Sequence, residues 1–301
     1  MLLKQWLRVL RAHFFAASAV PVLLGTTLAG FEIGEINFQY FLVIFVGVLA
    51  CHGGANLLND YYDHFSENDI SNPHRSPFNG GSGCIQEGLI SPRKVKIAAI
   101  GCIAISLLVG LFFTFVYGPY ALLYALAGTL SGYIYSGFPR LSYRGLGEIL
   151  VGLNFGPLIV TGTHYVQGGF FSIPALLLSI PMGFLVTAVL YLNQFPDYHA
   201  DKSCGKRNWV VRLGRKPALK VYILLLGAAY WTLLACIALK VFPTSSLLAL
   251  ITLPFAILAV LIAVNWYNNP PKLLRASALT VFTHLGVGFL LVLAFLWEIY
   301  R

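Results

Sequence analysis

The sequence predicts an all-α membrane protein, a bundle of about nine transmembrane helices whose charged, functional loops lie on the cytoplasmic face. Three observations carry this reading. Hydrophobic residues make up 58% of the 301 and charged residues only 10%, with a mean hydropathy of +0.76. A soluble domain carries roughly a quarter charged residues, so this inventory cannot cover a water-exposed surface. Nine stretches are long and apolar enough to cross the bilayer core, which takes about 20 residues of helix. Finally, 18 of the 20 Lys and Arg fall on one side of the resulting topology.

Taken in order, residues 1–11 place Lys4, Arg8 and Arg11 on one helical face and Leu3, Trp6, Leu7 and Leu10 on others, as in an interfacial helix. This basic start followed by an apolar run has the form of a signal peptide, but the run continues for a full span, so a retained helix is expected. The spans fall at roughly 12–31, 38–59, 95–117, 119–136, 147–167, 173–195, 218–240, 244–266 and 277–299. Short connectors alternate with longer charged ones. The N-terminus and the loops 60–96, 137–146, 196–220 and 267–276 hold all the basic residues except Lys240 and Arg301. The positive-inside rule therefore places the N-terminus and these loops in the cytoplasm and the C-terminus outside, which an odd number of spans satisfies. The expected location is the inner or plasma membrane. The formal charge of +9 reads as cytoplasmic loops facing anionic lipid, with no nucleic-acid partner. The five cysteines form no CxxC pair, and Cys51, Cys102 and Cys236 lie in apolar runs as small hydrophobes. Residues 1–301 form a single domain in this reading, and nothing in them signals an oligomeric state.

The aspartates are distributed even less evenly than the basic residues. Asp60, Asp63 and Asp69 follow the second span, Asp197 and Asp201 follow the sixth, and there are no others. The first cluster reads Asn56-Leu-Leu-Asn59-Asp60-Tyr-Tyr-Asp63, the second Asn193-Gln-Phe-Pro-Asp197-Tyr-His-Ala-Asp201. Spacings of three and four put Asn56, Asp60 and Asp63 on one helical face, and Asn193, Asp197 and Asp201 on another. The shared Asn-x-x-x-Asp suggests a pseudo-repeat four helices apart. Carboxylates with amide oxygens and no His/Cys ligand set favour a hard cation such as Mg²⁺, which takes one or two carboxylates together with substrate phosphates. Two such sets suit two Mg²⁺ ions bridging one diphosphate. Arg75, Lys202, Lys206 and Arg207 stand nearby in sequence to take the remaining phosphate charge. Asn79-Gly-Gly-Ser-Gly83 offers a flexible cover but lacks the Gly-Lys-Ser/Thr ending of a P-loop. Solvated loops collect acids and bases without function; against that bland reading stand the helical spacing, the paired asparagines and the absence of aspartate elsewhere. For Asp69 alone the two readings weigh equally.

At these residues the chain resembles the UbiA superfamily of intramembrane aromatic prenyltransferases, from Ala19-Val-Pro-Val-Leu-Leu-Gly-Thr26 through Val211-Arg-Leu-Gly214. Within it, Asn56-Leu-Leu-Asn-Asp60-Tyr-Tyr-Asp63, Tyr143-Arg-Gly-Leu-Gly-Glu148, Phe155-Gly-Pro157 and Gly205-Lys206 look most like the 1,4-dihydroxy-2-naphthoate polyprenyltransferases of menaquinone synthesis. One departure is Gln-Phe-Pro before Asp197, where many of that branch carry Asn-x-Arg. The resemblance implies a nine-helix bundle in which Mg²⁺ and basic side chains draw charge from an allylic polyprenyl diphosphate. The C–O bond ionises, and an electron-rich aromatic quinone precursor attacks the cation. With dihydroxynaphthoate the carboxyl group is also lost, giving demethylmenaquinone in its reduced, quinol form. It further implies that Asp60, Asp63, Asp197 and Asp201 are catalytic, and that Tyr135, with Ser136, lies near the donor and its cation, although a tyrosine there is equally an interfacial belt residue.

Arg144 is a diphosphate contact or a positive-inside charge, and Glu148 reads first as a helix cap and second as an acceptor contact. His52, His164 and His284 lie within spans as isolated polar groups that pack more often than they ligate. His64 and His199 flank the acidic motifs as minor candidates for the ring-proton base. Other aromatic acceptors, 4-hydroxybenzoate or homogentisate, are the alternative within the same chemistry. A transporter with an acidic vestibule is the non-enzyme alternative, disfavoured because charged groups are missing from mid-span. A phosphatidyltransferase is disfavoured because its dense Asp-x-x-Asp-Gly run is absent.

Overall fold

A computed structural model describes residues 2–65, 76 and 78–301 of the chain. Among these, every regular element is helical, with one isolated bridge between Ser76 and Asn79. The amphipathic α1 (Leu2–Val9) exposes Leu2 and Leu3 at 71% and 72% while Trp6, Val9 and Leu10 pack inward. A 3₁₀ turn, Ala12–Phe15, leads into α2 (Ala16–Ile33). Next come α3 (Phe38–Phe65), α4 (Pro92–Tyr117) and α5 (Tyr120–Ser136). The fifth span divides into α6 (Gly147–Leu153), a π turn (Asn154–Leu158) and α7 (Ile159–Gly168). The long α8 (Ile173–Ser203) is followed by the short α9 (Trp209–Leu213) and then α10 (Arg215–Ala238). A 3₁₀ stretch, Thr244–Thr252, opens α11 (Leu253–Trp266), and α12 (Pro270–Tyr300) ends the chain.

Among the described residues, eight helical segments are at least 18 residues long and apolar enough to cross a membrane; α5, at 17 residues, falls one short. At 1.5 Å per residue, α5 still reaches about 26 Å. With α5 counted, they agree with the expectation of about nine spans. Successive helices pack as hairpins, α3 on α4, α4 on α5, α8 on α10 and α11 on α12, while α2 lies against both α7 and α12 and closes the bundle. The largest core cluster joins α2, α8, α10, α11 and α12. Outward-facing Phe115 is 83% exposed and Trp231 70%; large apolar side chains spread so widely over a surface require lipid as their solvent.

Three departures from the sequence reading bear on function. Hydropathy ends the second and sixth spans near residues 59 and 195, whereas α3 continues to Phe65 and α8 to Ser203, through Pro196. Asp60, Asp63, Asp197 and Asp201 therefore ride on helices, not loops. Hydropathy marks where lipid contact stops, and a helix needs no apolar residues to continue beyond it. The fifth span is interrupted at Pro157, which has no N–H to donate, so the helix widens into a π turn there. Close packing holds that turn: a Cβ on Gly156 would stand 2.6 Å from the Ser179 carbonyl oxygen. Finally, Arg11 does not continue the charged face of α1. Its backbone is left-handed (φ 50°), a costly conformation for a non-glycine residue, and it turns the side chain inward.

At the end of the bundle away from the aspartates, Glu32 joins α2 to later elements: His164 Nε2 lies 2.8 Å from its Oε2, and Ser172 Oγ donates to Oε1 at 2.8 Å. His164 is thus a packed and partnered histidine, as expected for an isolated polar group within a span.

Candidate active site

The extended ends of α3 and α8 bring the two acidic clusters to one chamber of about 250 Å³. Asn56, Asp63, Asn193, Asp197, Asp201, Lys206 and Tyr135 all line it. On the α3 side, Asn59 Nδ2 donates to Asp63 Oδ2 and to Ser136 Oγ, both at 2.9 Å, and Tyr143 Oη donates to Asp63 Oδ1 at 3.3 Å. Asn56 Nδ2 is engaged with the Leu10 carbonyl at 3.0 Å, leaving its oxygen as the available acceptor. On the α8 side, Asn79 Nδ2 donates to Asp197 Oδ1 at 2.5 Å and Asn208 Nδ2 to Asp201 Oδ2 at 2.6 Å.

Lys206 couples the two halves. Its Nζ lies 3.3 Å from Asp201 Oδ1 and 5.8 Å from the centre of the Tyr143 ring. Gly205, with φ +73°, reverses the chain so that Lys206 N bonds the Asp201 carbonyl at 2.8 Å and the side chain turns back over α8. Burial by itself would lower the Lys206 pKa, but the carboxylates of Asp201 and Asp63 hold it well above the usual lysine value.

Asp60 sits behind the chamber wall, 2% exposed, ion-paired through Oδ1 to Arg11, whose guanidinium also donates to Asn59 Oδ1 at 2.9 Å. Ser82 N reaches the same Asp60 oxygen at 3.4 Å. The glycine-rich segment thus spans the chamber, touching Asp60 through Ser82 and Asp197 through Asn79. Left-handed Gly80, Gly81 and Gly83 make that tight path possible.

The donor set suits a hard cation. Asp60 Oδ2, Asn193 Oδ1 and Gln194 Oε1 are buried oxygens without a hydrogen-bond partner among the described residues, and a buried acceptor left unsatisfied carries a desolvation cost that a cation relieves. No group of three or more His, Cys, Asp or Glu among the described residues closes into a self-sufficient metal cage.

Other sequence candidates fall elsewhere. Lys202, Arg207 and Arg144 are exposed and do not line the chamber. Lys202 lies over Tyr198, and Arg144 borders a shallow groove with Tyr62, Tyr133 and Arg140. Ser136 is buried and holds Asn59. Glu148 is buried and accepts from Trp209 N at 2.8 Å, so it caps α9 and not its own helix. Arg75 and Asp69 lie outside the described residues. Sequence reasoning missed Arg11, Asn59, Asn79, Gln194 and Tyr143. Two of them carried a local signal: Asn59-x-x-x-Asp63 repeats the spacing already noted, and Asn79 opens the glycine-rich stretch read as a cover.

Below the aspartates the chamber joins an apolar cavity of about 130 Å³ between α3, α4, α5 and α7. His52, Ala55, Gly132, Asn154 and Phe155 line both. The π turn supplies Asn154 and Phe155 to this junction, and Ser131 Oγ donates to Asn154 Oδ1 at 2.8 Å.

The sequence model of the UbiA prenyltransferase family matches residues 18–286. The chain is 32% identical over 252 residues to UbiA prenyltransferase domain-containing protein 1 of Danio rerio, covering 82% of this chain and 72% of that protein. It is 27% identical over 292 residues to 1,4-dihydroxy-2-naphthoate octaprenyltransferase of Bacillus subtilis, covering 97% and 92%. Among solved structures, a UbiA homolog from Archaeoglobus fulgidus bound to DMAPP and Mg²⁺ has the same fold, with a TM-score of 0.70 at 18% identity, covering 96% of this chain and 99% of that one.

Proposed function

The chain belongs to the UbiA prenyltransferase family and is a multi-pass membrane prenyltransferase, and we propose that it moves a polyprenyl group from an allylic diphosphate to 1,4-dihydroxy-2-naphthoate with loss of the carboxyl group. The observation that carries this reading is the convergence of two Asn/Asp sets on one chamber that opens into an apolar cavity. A molecule with a diphosphate head and an isoprenoid tail matches both halves of that space. The full span 1–301 acts as one catalytic unit, with the chamber at the cytoplasmic surface, as the basic loops imply.

Asp63, Asp197 and Asp201, with the oxygens of Asn56 and Asn193 and with Asp60 behind them, would hold the cations. Two Mg²⁺ ions bound there would neutralise the diphosphate as its bond to carbon ionises. Lys206 and Arg11 take the phosphate charge the metals leave, from positions fixed before the substrate arrives. Tyr135 presents its ring to the chamber, where the allylic cation forms. The electron pair of the broken C–O bond departs on the diphosphate. A ring carbon of the acceptor forms the new C–C bond, and the carboxyl leaves as CO₂ to restore aromaticity. The low-dielectric walls strengthen each of these charge interactions. The B. subtilis relative, similar over nearly the whole chain, favours the naphthoate acceptor over other phenols.

The test is an acceptor panel with one labelled polyprenyl diphosphate: dihydroxynaphthoate, 4-hydroxybenzoate and homogentisate. The naphthoate alone is expected to take up label well above background. Labelling of another acceptor in its place would preserve the reaction class and overturn the acceptor.

A further inference from the structure

His52 is a half-buried polar group that the chemistry above does not use. It stands on α3 at the bottom of a ladder, His52, Asn56, Asn59 and Asp63, whose spacings of four, three and four put them on one face, and all four line the chamber. His52 lies about 6 Å along the helix below Asn56. Beyond it the same face turns apolar, with Val48 and Ile44 lining the deeper cavity. Its Nδ1 is 2.7 Å from the buried Ser18 Oγ, which fixes the ring plane. Phe155 meets it edge-on, 5.0 Å between centroids at 89°, and Phe15 lies 5.4 Å away. This is an oriented imidazole between aromatic rings at the neck joining the polar and apolar spaces.

An isoprenoid tail has no group to pair with that imidazole, and a polar group held against hydrocarbon is unfavourable. A hydroxylated aromatic ring fits it better. Its faces match the aromatic walls, and its hydroxyl reaches the remaining ring nitrogen. We infer that His52 positions the aromatic acceptor by a hydrogen bond from Nε2 to a ring hydroxyl, with Ser18 holding the imidazole in place. The inference rests on the reading of the chain as an aromatic prenyltransferase.

The experiment measures KM for dihydroxynaphthoate and for geranylgeranyl diphosphate separately, in the full chain and in His52→Phe, His52→Gln and Gly128→Leu. His52→Phe keeps a planar ring of similar size and removes the hydrogen bond; the acceptor KM is expected to rise about tenfold, with the donor KM within about twofold. His52→Gln, which can still hydrogen-bond, is expected to recover at least half of that loss on a logarithmic scale. A Cβ on Gly128 meets only ordinary contacts, 3.4 Å from Cys51 Sγ and 3.5 Å from Leu158 Cδ2. Leucine there fills the apolar cavity and is expected to raise the donor KM and leave the acceptor KM unchanged. An acceptor KM unmoved by His52→Phe, an equal rise in both KM values, or no recovery with glutamine would overturn the assignment. Failure of the underlying reading shows differently: the parent chain would then prenylate no aromatic acceptor at all.

Discussion

Asp197→Ala in the full chain is expected to lower Mg²⁺-dependent prenyl transfer by about 10²- to 10³-fold, the cost of removing one preorganised group that stabilises developing charge. Asp197 reaches the chamber from α8 and is tied to the glycine-rich segment through Asn79. Its loss would remove one of the proposed cation ligands and loosen the cover together. Asp60→Ala is expected to fall as far by a different route, because Asp60 holds Arg11 at the chamber wall. Initial rates with saturating donor and acceptor read both effects. Normal turnover in either variant would show that the two acidic sets do not act on one diphosphate.

Lys206→Met should produce the second large effect, and in two measurements. Lys206 is ion-paired to Asp201 and feels the charge of Asp63, and the methionine side chain fills similar space without the charge. Breaking a buried ion pair from one side costs about 3–5 kcal/mol, since the carboxylate left behind is uncompensated. Thermal unfolding of the detergent-solubilised protein without divalent cations should therefore shift down clearly. Added Mg²⁺ should restore most of the shift, because a cation can take over the lysine's neutralising task between the two carboxylates. Transfer activity should stay low even with Mg²⁺, since the diphosphate has lost a fixed positive partner. A melting temperature equal to that of the parent chain would mean that Lys206 does not bind the two clusters together.

The bundle was largely legible in the sequence because lipid imposes one rule on every span, and nine apolar stretches obey it. The acidic sets were legible because helical spacing and the paired asparagines are local features. The helix ends were not, since α3 and α8 continue past the apolar residues that hydropathy counts. Among the basic candidates, Lys206 enters the chamber while Lys202 and Arg207 point outward. Proximity in sequence could not separate them, because the left-handed turn at Gly205 decides which side chain folds back. The pairings of Arg11 and Asn79 were beyond reach for another reason. Their partners Asp60 and Asp197 lie 49 and 118 residues away, and no local pattern encodes such a pairing. The π turn at Pro157 hid within an otherwise ordinary apolar span, yet it supplies the polar junction between chamber and cavity.

The most direct test of the account is product mass from the purified full chain, given geranylgeranyl diphosphate and dihydroxynaphthoate, with Mg²⁺ and with excess EDTA. A lipid-extractable product is expected only with Mg²⁺, carrying the whole prenyl group and lacking the acceptor's carboxyl. Equal product in EDTA, or a prenylated product that keeps the carboxyl, would contradict that expectation.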